Sequence, residues 1–146
     1  MKLEKFMCEV TKALVRDKRV MFCEYGDKVV ISPNGYFAMI IPKTRNIFNR
    51  EISKSCPVPY DWYAHKLADT WQLRKIGKTT LHIFETDKGE KIQINEKYLN
   101  YFDLRCAEFY GEQNAAVFVS EDGGKTPCGI IMPIKEPIRE RKNKNG

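Results

Sequence analysis

The sequence predicts an α+β fold in which a helix followed by three antiparallel strands occurs twice, at 2–41 and 95–135, with the helices packed on one face of an antiparallel sheet. Three observations lead there. Leu3, Phe6, Met7, Val10, Ala13 and Leu14 recur at helical spacing. The apolar runs after them are short and punctuated by turn residues: Gly26-Asp27, Pro33-Asn34-Gly35, Asp87-Lys88-Gly89 and Glu121-Asp122-Gly123-Gly124. The same order of pattern returns near the end of the chain, as a repeat of layout rather than of sequence.

In chain order, residues 2–16 read as an amphipathic helix whose polar face carries Lys5, Glu9, Lys12 and Arg16. Strands follow at 19–25, 28–32 and 36–41, the last closed by Pro42. Residues 43–60 read as irregular, with Pro57 and Pro59 as breakers and Lys43, Arg45, Arg50 and Lys54 making the segment basic. Asp61 is placed to cap a short helix through Trp71, with Tyr60, Ala64, Leu67 and Trp71 on one face. Trp62 and Trp71 read as core by the burial habit of aromatics. Strands are expected at 79–86 and 90–94, and Asn95 caps a helix to about 103. Strands at 104–110 and on both sides of the glycine turn complete the pattern.

The 146 residues suit one domain, read as 1–135 with a segment at 43–78 inserted in it. A hydrophobic content of 42% is that of a folded chain rather than a disordered one. The tail 136–146 has no apolar period and carries Arg139, Arg141, Lys142 and Lys144, so it reads as a basic, disordered end. The formal net charge of +6 favours an anionic partner. Five cysteines, none spaced C-x-x-C, and two histidines give no zinc pattern, and the cysteines read as reduced thiols of a cytoplasmic protein. No metal or other cofactor is expected. The N-terminus lacks a signal-peptide core, and no apolar run approaches a membrane span, so no membrane association is expected.

Two site patterns fail on spacing. Gly124-Lys125-Thr126 ends like a phosphate-binding loop, but Val119 stands where the first glycine belongs and Pro127 follows in place of a helix. Asp61 and His65 at i, i+4 could orient a base, yet no nucleophile is set beside them, and Cys56 in a proline-rich loop is a weak one. No catalytic residue is assigned and the chain is expected not to be an enzyme. The aromatic cluster Tyr60, Trp62 and Tyr63 is the candidate contact surface for a protein partner if it is exposed.

One resemblance bears on function. Asn95, Tyr98 and Leu99, then Asp122-Gly123, then Met132-Pro133 before a basic residue, resemble the end of a domain of bacterial DNA polymerase sliding clamps. The layout of 1–42 is similar to the start of such a domain, and together the two stretches cover 1–42 and 92–135. The resemblance implies a clamp-like fold of bacterial or mobile-element origin, whose helices line a basic surface that holds duplex DNA by its phosphates without reading bases. The matching positions are Lys5, Lys12 and Arg16 on the first helix and Lys97 on the second, with Glu9 interrupting the stripe. A solvated polar face is the alternative reading of the same residues. A clamp subunit carries three such domains and this length fits one, so encircling DNA implies a homo-oligomer. The segment 43–78 matches nothing in clamps; it is either an inserted partner-binding element or the place where the resemblance stops. Without the DNA role, the fold reads as a protein-interaction module.

Overall fold

The computed structural model describes residues 1–16 and 18–135. Helix α1 (Leu3–Val15) leads into strands β1 (Met21–Tyr25), β2 (Lys28–Ser32) and β3 (Phe37–Pro42). After a single 3-10 turn (Lys43–Arg45) and an irregular stretch come β4 (Ala68–Ile76), β5 (Thr79–Glu85) and β6 (Lys91–Asn95). A one-turn helix α2 (Glu96–Leu99) precedes β7 (Glu108–Tyr110), β8 (Val117–Ser120) and β9 (Gly129–Ile131).

The predicted fold class is overturned. Among the described residues nine strands form two antiparallel sheets, only one helix is seven residues or longer, and helix makes up about 15% of the chain. The helix expected to open the second half shrinks to α2, four residues long, so no layer of helices covers a sheet. The six-stranded sheet runs β1-β2-β3-β9-β8-β7 and the three-stranded sheet β4-β5-β6. The expected helix from Asp61 to Trp71 is also absent. Residues 60–65 are turns and bends, and β4 begins at Ala68. Ala64 N–H makes only a turn bond, to the Asp61 carbonyl at 2.9 Å, while Leu67 N–H donates to the Phe109 carbonyl and Gly111 N–H to the His65 carbonyl, both at 2.8 Å, so the end of this stretch bonds across to β7 and the residue after it. The tail 136–146 lies outside the described residues.

The alternation of each strand splits the six-stranded sheet between two cores. Val29, Ile31, Phe37, Met39, Ile41, Val117, Val119 and Ile131 join one cluster, with Phe6 and Val10 of α1 and Phe84, Ile92 and Ile94 of the small sheet. Val30, Ala38, Ile40, Phe118 and Ile130 point the other way and pack with Val58 and Trp62. This is why β8 reads as an unbroken buried run rather than a half-buried strand. Trp62 is 7% exposed and fills the second core as predicted, whereas Trp71 is 81% exposed, against the prediction.

Gly129 stands in the middle of this sheet, opposite Met39 on one side and Val119 on the other. A glycine there weakens a strand unless something needs the space, and here the Phe102 ring lies where a Cβ would stand. Gly129→Ala is therefore expected to destabilise the fold by about 1–3 kcal/mol through overpacking, read as a lower urea midpoint at unchanged slope; an unaltered midpoint would contradict this packing.

The last hairpin turn is organised by Asp122. Its Oδ1 accepts from Ser120 Oγ at 2.7 Å, Lys125 N–H at 3.1 Å and Thr126 N–H at 3.0 Å. Gly123 and Gly124 supply the positive φ of +77° and +85°. The Gly-Lys-Thr stretch thus serves a turn, with a carboxylate where a phosphate would sit. Desolvation pushes the Asp122 carboxyl up, but hydrogen bonds from Ser120, Thr126 and Lys125 outweigh it and hold the pKa well below the usual carboxylate range. A depressed carboxylate stabilises the fold above its unfolded value and loses that contribution as pH falls towards the folded one. The stability advantage over Asp122→Asn is expected to narrow as pH drops below about 4; urea midpoints of both proteins between neutral and acid pH measure it, and a constant gap would contradict the assignment.

Candidate nucleic-acid interface

The site grows out of an aromatic cluster. Phe37, at the start of β3, stacks on Tyr98 of α2 at 4.9 Å between centroids and lies 4.9 Å from Tyr101. Phe6 of α1 meets Phe37 edge-on at 5.7 Å and Tyr101 at 6.2 Å. Polar bonds fix the same three elements. Asn34 Nδ2 donates to the Tyr98 hydroxyl at 3.0 Å, and its Oδ1 accepts from the N–H groups of Tyr36 and Phe37. Helix α1 has no side-chain cap at Lys2, but Lys2 N–H donates to the Tyr101 carbonyl at 2.7 Å. The start of α1 is thereby tied to the turn that follows α2.

With α1 and α2 side by side, their polar faces form the rim of one groove of about 380 Å³. It brings together all four residues predicted from the sequence, Lys5, Lys12, Arg16 and Lys97. Lys18 joins them, a residue that the sequence reading missed because it lies past the helix and belongs to no periodic face. One carboxylate, Glu9, lines the groove among the described residues, 3.5 Å from the Lys12 ammonium. Lys5, Arg16, Lys18 and Lys97 are in no ion pair among the described residues.

The aromatic floor also orders the cations. Lys5 Nζ lies 4.7 Å from the Tyr101 ring centroid and Lys97 Nζ 5.0 Å from that of Tyr98, both within cation–π range. Burial raises the Tyr101 pKa, with Glu9 and Tyr98 adding to it, so the phenol stays neutral and adds no anion to the groove. A cleft edged by an excess of one sign of charge over low-dielectric walls concentrates potential and attracts polyanions.

The other predicted residues are dispersed. Tyr60 and Tyr63 are exposed, but Trp62 between them is buried, so the expected aromatic contact surface lacks its largest member. Asp61 and His65 do not pair. His65 Nε2 instead lies 2.6 Å from Glu112 and its Nδ1 3.9 Å from Asp87. The Cys56 thiol is turned to the Val58 backbone. A second histidine–carboxylate contact, His82 with Asp69 at 2.6 Å, joins residues thirteen apart on neighbouring strands and has no local sequence signal. No nucleophile is placed by any motif beside it. Among the described residues no group of three or more His, Cys, Asp or Glu side chains could hold a metal ion, and no helix is long and apolar enough to cross a membrane.

Comparison with family models, curated proteins and solved structures finds no match for this chain, so nothing identifies a sliding-clamp relative.

Proposed function

We propose that this chain is a non-enzymatic, DNA-associated protein that holds duplex DNA through its phosphates, without reading bases, at the groove between α1 and α2. The observation that carries the reading is the convergence of Lys5, Lys12, Arg16, Lys18 and Lys97, from two distant parts of the chain, on one rim, with Glu9 the one carboxylate lining it among the described residues. A merely solvated helix face would need no such convergence. The flat aromatic floor is closed by its own packing and leaves phosphate as the partner chemistry of the rim. Lysine and arginine contacts of this kind displace condensed counterions, so affinity comes with a steep dependence on salt and little on sequence.

A second reading, a protein-interaction module, keeps Tyr60 as its supporting observation, since that ring is 91% exposed beside the buried Trp62. It becomes the account of this chain if DNA does not bind.

The test is titration of the purified protein against labelled duplexes of unrelated sequence across a salt series, with oligomeric mass recorded in the same buffers. Up to five phosphate contacts give a slope of log K against log salt between about −3 and −4.5, equal for all sequences. Lys12→Glu combined with Arg16→Glu is expected to weaken binding and flatten the slope by roughly 2. Glu9→Gln, which frees Lys12 and removes a carboxylate from the groove, is expected to tighten it. No binding at low salt, or binding indifferent to these changes, would overturn the proposal.

A further inference from the structure

Trp71 is the most strained and among the most exposed large side chains of the described fold. Its φ is +60°, a left-handed backbone that bulky residues avoid. The register of β4 against β5 breaks between Asp69 and Gln72, leaving Thr70 and Trp71 without partners. The bulge is held from all sides. Trp71 N–H donates to Asp69 Oδ1 at 2.7 Å, and the same oxygen lies 2.6 Å from His82 Nε2. Thr70 Oγ1 donates to the Ile83 carbonyl at 2.6 Å and accepts from Gln72 N–H at 3.2 Å.

None of these bonds uses the indole. The ring is 81% exposed, and its one aromatic contact is the edge of His82, 6.4 Å away. His82 in turn stacks on Phe84 at 4.9 Å, which anchors the platform in the core. Strain of this sort persists where surrounding structure over-determines it and tends to mark functional positions. Here it presents a flat π-surface to solvent that packing does not require.

The neighbours define what that surface fits. Leu73 is paired with His82 and so shares its face, and strand alternation puts Lys75 on that face too. Lys78 follows at the β4–β5 turn. Neither lysine is in an ion pair among the described residues. An added peptide strand is disfavoured, because the bulge interrupts the edge ladder and edge lysines repel strand partners. A bare aromatic face flanked by free cations suits a base and its phosphates. We infer that Trp71 is a stacking platform for an unpaired nucleobase, with Lys75 and Lys78 engaging the flanking phosphates of a single strand. The site lies on the small sheet and does not depend on the groove.

The chain has two tryptophans, and Trp62 is buried, so quenching of intrinsic fluorescence reports Trp71. The probe is an oligothymidylate of roughly twelve nucleotides, within the span of single-strand sites, added to the full chain at low salt. Quenching is expected. By anisotropy of a labelled oligonucleotide, Trp71→Ala should bind roughly 5- to 150-fold more weakly, the effect of losing one stacked base, while Trp71→Phe keeps most of the affinity. Trp71→Gly, which suits the backbone, should bind as weakly as Trp71→Ala with a Tm no lower than that of the parent. The Lys12→Glu, Arg16→Glu protein should still be quenched. Absence of quenching, equal affinity of Trp71→Ala, a lowered Tm for Trp71→Gly, or loss of quenching with the groove charges would each overturn the inference.

Discussion

The ring of Phe37 is the contact on which the rest of the site depends. It touches Phe6 from α1, Tyr98 from α2, and Tyr101 and Phe102 from the turn after α2. Each such pair contributes about 0.5–1.5 kcal/mol beyond the area it buries. More important is what the pairs fix. Helix α1 has thirteen residues and no side-chain cap, marginal as an isolated helix, so its orientation is set by tertiary contacts. Phe6 and Val10 supply them on one side, and the Lys2–Tyr101 backbone bond ties down the residue at the helix start. Those contacts place Lys5, Lys12 and Arg16 on the groove that Lys97 also lines. Charge convergence is thus a consequence of apolar packing on the opposite face of the same helix.

The two-sided core explains how a chain with so little helix buries so much. Every central strand of the large sheet sends alternate side chains to different clusters, so both faces must be covered. On one face the cover is shared by α1 and the small sheet, with Phe84 reaching Phe109 at 4.7 Å. On the other it is the irregular stretch that carries Val58 and Trp62. Two strands of the small sheet, β5 and β6, fall where strands were expected, while β4 begins where the helix from Asp61 was expected to end. Its outer strand β4 remains largely solvent-facing, and that exposure permits a bulge with a strained residue at its tip.

Local signals account for what was legible in the sequence. The helical period of 3–14 is long enough to be unambiguous, and the turn glycines at 26, 35, 89, 123 and 124 all have positive φ. Asn95 does cap α2, accepting from Lys97 N–H at 3.1 Å. The misread stretch is 60–71. Tyr60, Ala64, Leu67 and Trp71 fall at helical intervals by coincidence, over a span short enough for long-range bonds to β7 to prevail. The burial habit of tryptophan held for Trp62 and failed for Trp71, because a bulge is defined by the partner strand and leaves no local mark. The helix expected through 103 stops at Leu99, where Tyr101 and Phe102 turn into the core. The cations of the groove were named from the sequence, but their grouping, and the part played by Lys18, depend on contacts between segments some eighty to ninety residues apart.

The central claim is that cations from the two helices act as one phosphate-binding surface. The most direct measurement is the salt dependence of duplex affinity for the parent protein, Lys5→Gln, Lys97→Gln and the double variant. If both lysines meet the same duplex, each single change lowers the slope by about 0.9 and the double change by about 1.8. A slope that ignores Lys97, or a double variant no different from Lys5→Gln alone, would mean that the groove does not act as one surface and would contradict the account.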